Sequence, residues 1–409
     1  MAFSAIGLQG PIGVQDNRNH ITNGEFNIWQ RGVTVECGAT GTKADGSTSV
    51  LVGTTIGSSA GIHRNAFVAD RWRMFVHLGA AGTTAPGIIA SRGKFDLGDP
   101  SGAENASNWY MNIFVGAGCT SDAAAHAGSC AGNWGGISGG TANGSFVALV
   151  QDIEDVKTLE NKSGTVSFWA KSDIAGQRIA PVLIQVTGGA GGGLISGSTG
   201  GLGHTLDNTW RKYETSFTVP GLESDSLGTS GDNALQLQLL FQAHAGRAGI
   251  GVTFELGGVP GSGKTGNIKI AQVQLEQGTK VTEFDQKDRT VEIMQCQRYY
   301  EKSYNLDISP DTVSNSPGYI NRYADNTGSV LLLSHAFITR KRIAPTVVYF
   351  NPTTTGENKL LKNNSANVDV TSTTTGETGL STITLNSGAA IGTYSFHYTA
   401  NSELNVTTI

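Results

Sequence analysis

The chain has 409 residues and a formal net charge of −5, and only 15% of its residues are charged, against an average of about 25%. Fifty-six glycines mark a chain rich in turns, the charge excludes a basic nucleic-acid footprint, and four cysteines make no disulfide framework. No apolar run approaches the ~20 residues that cross a bilayer, and MAFSAIGLQG lacks a charged leader followed by an apolar core, so synthesis in a cytoplasm without membrane insertion is expected.

Residues 1–20 hold two glycine triplets and no core periodicity, which reads as an extended anchoring arm. From Ile21 onward, short apolar runs alternate between glycine-rich turns. GTVSFWAKS (164–172) alternates Val166, Phe168 and Ala170, and APVLIQV (180–186) is nearly continuous. WRKYETSFTVP (210–220) alternates up to a proline, and ALQLQLLFQ (234–242) sets leucines against glutamines. GVTFEL (251–256) is β-branched and aromatic. Period two with turn signals between predicts antiparallel strands and a jelly-roll β-sandwich over 21–285. The stretches 135–145 and 193–203, rich in Gly and Ser, read as surface loops.

GGVPGSGKTG follows GVTFEL, and Gly258, Gly263, Lys264 and Thr265 spell the phosphate-loop pattern G-x-x-x-x-G-K-T. A phosphate loop needs a helix directly after the Lys-Thr, whose N-terminus holds the phosphates. Here the next residues are GNIKIAQVQLEQG. Ile268, Ile270, Val273 and Leu275 scatter around a helix, but as a strand they form two alternating pairs, with a one-residue slip near Ala271-Gln272. The pattern is therefore a chance match in a glycine-rich chain, and no nucleotide site is expected.

KDRTVEIMQCQRYYEKSY (287–304) spaces Val291, Met294, Cys296 and Tyr299 at helical intervals, with Asp288, Glu292 and Arg298 on other faces. It predicts a linking helix within 286–305, with Met294 and the Tyr299-Tyr300 pair packing between the two β units or against symmetry mates. Strand-like runs at 329–338, 345–352, 381–385 and 392–400 then predict a second, smaller β-sandwich over 306–409. The fold class is mainly β.

Catalytic chemistry has little to stand on. Cys119, His126 and Cys130 match no zinc spacing. Asp152, Glu154 and Asp155 lie in QDIEDVKTLENKSG, which reads as a loop or short turn with a solvated face, and Glu283 and Asp285 flank Phe284 in the same way. Glycan hydrolysis needs two carboxylates across a cleft, and no repeat of a β-helical depolymerase is present. Sugar recognition instead needs aromatic faces with a few polar groups. Trp29, Trp72, Trp169 and Trp210 lie in or beside strand text and read as core. Trp109, Tyr110 and Trp134 sit among Asn, Ser and Gly in expected loops, where glycan stacking and loop anchoring both stand open.

Four ordered stretches resemble a family of phage virion proteins, tail-fibre-like and related structural proteins with a carbohydrate-binding-type jelly roll. They are NGEFNIWQRG (23–32) with ADRWRMF (69–75), QDIEDVKTLENKSGTVSFWAKS (151–172), NTWRKYETSFTVP (208–220) and IKIAQVQLEQGTKVTEFDQKDRTVEIMQCQRYYEKS (268–303). KRIAPTVVYFNP and FHYTANSEL resemble the small C-terminal β-domain that follows in such proteins. The resemblance implies a non-enzymatic virion component, homotrimeric, of the tail-fibre or receptor-binding type. Its arm would meet other virion proteins and its jelly roll a host-surface glycan or a neighbouring virion protein. A capsid decoration or head fibre is the first alternative and a polysaccharide depolymerase the second. The NGEF start is similar to one that lies near a structural Ca²⁺ in related jelly rolls. That makes Glu25 a single-carboxylate metal candidate, with a solvated turn residue as its alternative; no other cofactor is expected.

Overall fold

A computed structural model describes residues 18–37, 41–42, 48–49, 56–58, 61–78, 87–96, 107–116, 146–188, 192–197, 203–223, 225–228, 233–243, 266–313, 318–324, 328–389 and 391–404. Trp134, Cys119, His126, Cys130, the arm before Arg18, the run 251–256, the loop 135–145 and the pattern Gly258–Thr265 lie outside these residues.

Two antiparallel sheets face each other. One has the order Thr34–Cys37, Gly87–Lys94, Trp109–Gly116, Gly266–Gln277, Ser163–Ser172, Arg211–Thr218. The other runs Gly192–Ser196, Arg178–Val186, Ala234–Ala243, Phe146–Glu154, Arg73–Leu78, Gly61–Phe67, Ile56–Ser58, with His204–Thr205 added beside Arg178–Val186. Alternation decides what each sheet buries. Met111, Ile113, Val166, Phe168, Ile268 and Ile270 from the first meet Leu149, Leu183, Leu235, Leu237 and Leu239 from the second in one core. From Phe146 to Gln277 the chain crosses repeatedly between the sheets, as a jelly roll does. The expected loop 193–203 differs in part, because its first residues form the edge strand Gly192–Ser196.

Gly266–Gln277 is a strand from its first residue, in the place where a phosphate loop would need a helix. Its pairing with Ser163–Ser172 slips by one between Ser167 and Trp169, and Gln272 has φ +52°. This bulge re-phases the strand, so that Ile268 and Ile270 before it and Val273 and Leu275 after it all point into the core.

NGEFNIWQRG and ADRWRMF close into one buried knot. Asn23 adopts φ +56° and donates from Nδ2 to the carbonyls of Ile28 (2.9 Å) and Asp70 (3.0 Å). Trp29 Nε1 donates to the Phe26 carbonyl (2.8 Å) and Trp72 Nε1 to the Asn23 carbonyl (2.9 Å). Both indoles are fully buried with their donors satisfied, as the core reading of these two tryptophans requires.

The linking helix spans Arg289–Gln297, half the expected length. Asp288 caps it, accepting from the N–H groups of Thr290 (2.8 Å) and Val291 (3.3 Å). It ends early because Tyr300–Lys302 forms a strand with Thr399–Asn401. Its orientation also differs from the periodic reading. Cys296 is buried as that reading requires, but Val291 and Met294 are exposed, whereas Glu292 is buried and accepts from the Asn23 N–H (2.8 Å). An obligatory buried donor outweighed apolar periodicity here. Tyr299 and Tyr300 are buried, and guanidinium groups lie on their rings: Arg71 3.4 Å over Tyr299 and Arg31 3.7 Å over Tyr300. Arg71 also pairs with Glu403, which ties the C-terminal unit to the jelly roll.

The second unit, from Tyr300 onward, has eight strands around Gly392–Asn401. That strand pairs with Ile320–Ala324 and Lys359–Lys362 along its first half and with Tyr300–Lys302 and Thr346–Phe350 along its second. The arms share one core of Leu331, Tyr349, Leu360, Ile383, Tyr394 and Phe396. Among the described residues no helix is long and apolar enough to cross a membrane.

Candidate functional site

The outer face of the six-stranded sheet carries a second, smaller aromatic cluster. Because Val166, Phe168 and Ala170 point inward, Trp169 and Lys171 point outward. Tyr110 is likewise outward, next to the inward Met111, and Lys269 is outward between Ile268 and Ile270. Trp210 and Phe95 complete the group at the strand ends, over the small Ala271 that pairs with Trp169.

Tyr110 meets both Phe95 and Trp210 edge to face, and those two rings are tilted on each other. Phe95 to Tyr110 is 5.0 Å at 67°, Tyr110 to Trp210 is 5.5 Å at 68°, and Phe95 to Trp210 is 5.1 Å at 45°. Phe95 and Trp210 are buried beneath, while Tyr110 and Trp169 are half-buried and keep part of their faces open. The Trp210 indole N–H is buried and without a hydrogen-bond partner. Lys269 Nζ stands 5.3 Å from the Tyr110 ring centre and Lys171 Nζ 5.2 Å from that of Trp210. Gly93 is the register partner of Tyr110, and the ring lies across its bare backbone.

Several expectations change here. Trp109 and Tyr110 are not in a loop but open the Trp109–Gly116 strand, whose Met111, Ile113 and Val115 alternate inward. The strand therefore sends the two aromatics to opposite sides. Trp109 stands on the other side from Tyr110, with Arg92 4.4 Å and Lys94 5.9 Å from its ring centre, and Arg92 pairs with Asp307 (2.9 Å). Trp169 leaves the core to which residue type assigned it, because strand alternation places it outward, whereas Trp210 is buried as that reading requires, in a separate cluster with Phe95 and Ala271 against which Trp169 packs.

The carboxylates are committed elsewhere. Asp152 is not on a solvated turn but buried in the Phe146–Glu154 strand, paired with Arg73 (2.9 Å) and accepting from Gln236 Nε2 (2.6 Å). Glu154 accepts from Arg298 (2.9 Å) and Tyr299 (2.7 Å), and these donors hold its carboxyl below the usual range against the effect of burial. Asp285 accepts from the Asn19 N–H (3.4 Å). Glu25 is buried rather than solvated. Burial pushes its pKa up to about 7, Asn27 Nδ2 donates to it (2.7 Å), and nearby Glu292 adds to the rise. Among the described residues no three His, Cys, Asp or Glu side chains gather to hold a metal, whereas Ca²⁺ takes six or more oxygens.

A cavity of about 360 Å³ lies at the junction of the two units, lined in part by Gln30, Lys302, Tyr304, His335 and Tyr398. Its polar groups are largely satisfied within the protein. Tyr398 donates to Glu301 (2.7 Å), so His335 Nε2, 3.1 Å from the same hydroxyl, donates to it. Glu301 also pairs with the buried Lys341 (2.6 Å). Lys302, its pKa lowered to about 8 by burial, donates to the carbonyls of Leu306 (2.8 Å) and Ile308. These contacts fold the junction, whereas on the aromatic–lysine face Tyr110, Trp169, Lys171 and Lys269 are half-buried.

No family model matches the chain, and no curated protein matches it. Among solved structures it is similar to the N-terminal cellulose-binding domain of β-1,4-glucanase C from Cellulomonas fimi, with 13% identity over 42% of this chain and 80% of that one, TM-score 0.24. A xylan-binding domain from Paenibacillus barcinonensis aligns at 6% identity over 51% and 87%, TM-score 0.26. A family 11 carbohydrate-binding module from Clostridium thermocellum, solved with a mixed-linked tetrasaccharide, aligns at 14% identity over 55% and 100%, TM-score 0.25. Superpositions at this level carry no argument, and the mainly β, two-sheet architecture rests on the strand pairing itself.

Proposed function

We propose that the chain is a non-catalytic glycan-binding protein of a phage virion, of the tail-fibre or receptor-binding type, and that it meets its glycan on the outer face of the six-stranded sheet. The observation that carries the glycan reading is the outward cluster of Tyr110 and Trp169 over Phe95 and Trp210. Half-open aromatic faces backed by a rigid sheet suit the apolar C–H faces of sugar rings, and the flanking lysines offer donors to hydroxyls. The virion setting comes from the ordered sequence resemblance, as do the homotrimer and the docking of residues 1–20 on other virion proteins.

The test is a glycan array with the purified chain, scored for retention and for newly formed reducing ends, followed by labelling of intact particles. Retention without release, lost in Trp169→Ala and Tyr110→Ala variants that remain folded, is the expected result. Release of reducing ends would replace this reading with a depolymerase. Labelling on the capsid instead of the tail would replace the receptor-binding role with decoration.

A further inference from the structure

Lys171 and Lys269 are register partners on neighbouring strands of the outer face. Like charges directly opposite each other destabilise an antiparallel pair. A protein relieves such a pair by placing a carboxylate between the ammonium groups, and none stands there: neither lysine has an acidic partner among the described residues. The nearby carboxylates point to other donors. Asp173 accepts from Asn267 N (2.5 Å) and Nδ2 (3.0 Å), and Asp207 from Arg211 (2.7 Å). Both ammonium groups stand instead beside aromatic rings, which orient them without neutralising them.

Lys212 adds a third cation, opposite Trp169 on the other side of the same strand. Its ammonium donates to the Thr282 carbonyl (3.0 Å), a contact that fixes the side chain and leaves the charge in place. Three lysines thus surround an aromatic platform in a chain whose formal net charge is −5. Half-burial of Lys171 and Lys269 reduces their screening by salt.

From this juxtaposition we infer that the face selects acidic glycans, with the carboxylate, sulfate or phosphate of the sugar between Lys171 and Lys269 and its ring against Trp169 and Tyr110. The inference rests on the glycan reading above and names the class of glycan. An anion there would remove the repulsion between the two lysines, so the bound state gains what the free sheet lacks. A neutral sugar would meet the same rings without that gain.

The full chain can be titrated with a panel of matched polymers: polygalacturonate against its carboxyl-reduced form, dextran sulfate against dextran, and phosphorylated against plain mannan. Acidic members should bind at least about tenfold tighter than their neutral partners. That preference should shrink as NaCl rises from about 50 to about 500 mM. In the double variant Lys171→Gln/Lys269→Gln it should fall to within about threefold, a drop of at least about half a decade. The salt dependence of the parent protein needs no variant and stands even if the double variant misfolds. Neutral members binding as tightly as acidic ones would overturn the acidic selection and leave glycan binding intact. A preference undiminished in the folded double variant would place the anion elsewhere and overturn it too. Failure of every member to bind would remove the glycan reading and this inference together.

Discussion

Replacing Gly93 by alanine tests whether the Tyr110 ring lies where the outer-face site needs it. A Cβ built on Gly93 would stand 2.1, 2.3 and 2.7 Å from three carbons of that ring. Carbon atoms settle at about 3.5–4.0 Å, so the ring must retreat by more than about 1 Å. It cannot do so freely, because Phe95 and Trp210 hold it at 5.0 and 5.5 Å between centres. Overpacking of this kind costs about 1–3 kcal/mol, and each displaced edge-to-face pair forfeits a further ~0.5–1.5 kcal/mol at most. A net loss of about 2–4 kcal/mol lowers the melting temperature of a domain this size by roughly 5–15 °C. Gly193→Ala is the control, since a Cβ there meets nothing within 4 Å and should change stability by less than about 0.5 kcal/mol. Scanning calorimetry on both variants, with glycan titration beside it, reads the two consequences. A Gly93→Ala protein that melts with the parent and binds glycan equally would show that the ring does not lie over Gly93, and the geometry of the site would fall with it.

The junction yields two further expectations. Lys341 and Glu301 are both fully buried, so Lys341→Met leaves a carboxylate without its counter-charge and should cost about 3–5 kcal/mol in urea unfolding; the double variant with Glu301→Gln should recover most of that. Additive losses would show that the two side chains are not coupled. Glu25 has a pKa raised by burial from 4.5 to about 7, and Asp70 from 3.8 to about 6. A raised carboxyl stabilises the fold fully below its unfolded value and loses that contribution as pH climbs through the folded one, at no more than about 1.4 kcal/mol per pH unit. The stability difference between parent and Glu25→Gln should therefore move against the parent from about pH 4.5 to about pH 7 and then level; a difference that stays flat across that window would mean that Glu25 remains ionised.

The strand text was readable wherever one face met the core and the other did not. Ile268 and Ile270, then Val273 and Leu275, betray even the bulge between them, since no single period fits all four. That slip also shows why GSGKT followed by such a run leads to no helix. The linking helix was less readable for a physical reason. Its apolar spacing finds Cys296 and Tyr299, which are buried, but also Val291 and Met294, which are not; a buried position went instead to Glu292, which accepts from the Asn23 N–H in a left-handed turn some 270 residues away. Likewise Tyr300–Lys302 reads as the end of a helix until Thr399–Asn401 arrives to pair with it. Local pattern cannot report a partner so distant in sequence.

The candidate site divides along the same line. Trp169 was legible: once Val166, Phe168 and Ala170 are granted an inward face, period two leaves Trp169 and Lys171 no direction but outward. Judging the tryptophan by residue type, and not by its place in the alternation, is what sent it to the core. Tyr110 follows from Met111, Ile113 and Val115 in the same way. Trp210 and Phe95 do not, since both stand at strand ends and are gathered by contacts across more than a hundred residues. The opposition of Lys171 to Lys269 lies between these cases. Each is outward by alternation, but the bulge at Gln272 decides which residue of one strand faces which of the other. Only when Trp169 is seen to pair with Ala271 do the two lysines fall opposite each other, and the small alanine leaves the space into which the aromatic rings close. The extra residue is what lets Val273 and Leu275 share the inward face with Ile268 and Ile270, so a deletion of Gln272 would leave a strand of regular alternation, with Lys269 still outward and still opposite Lys171.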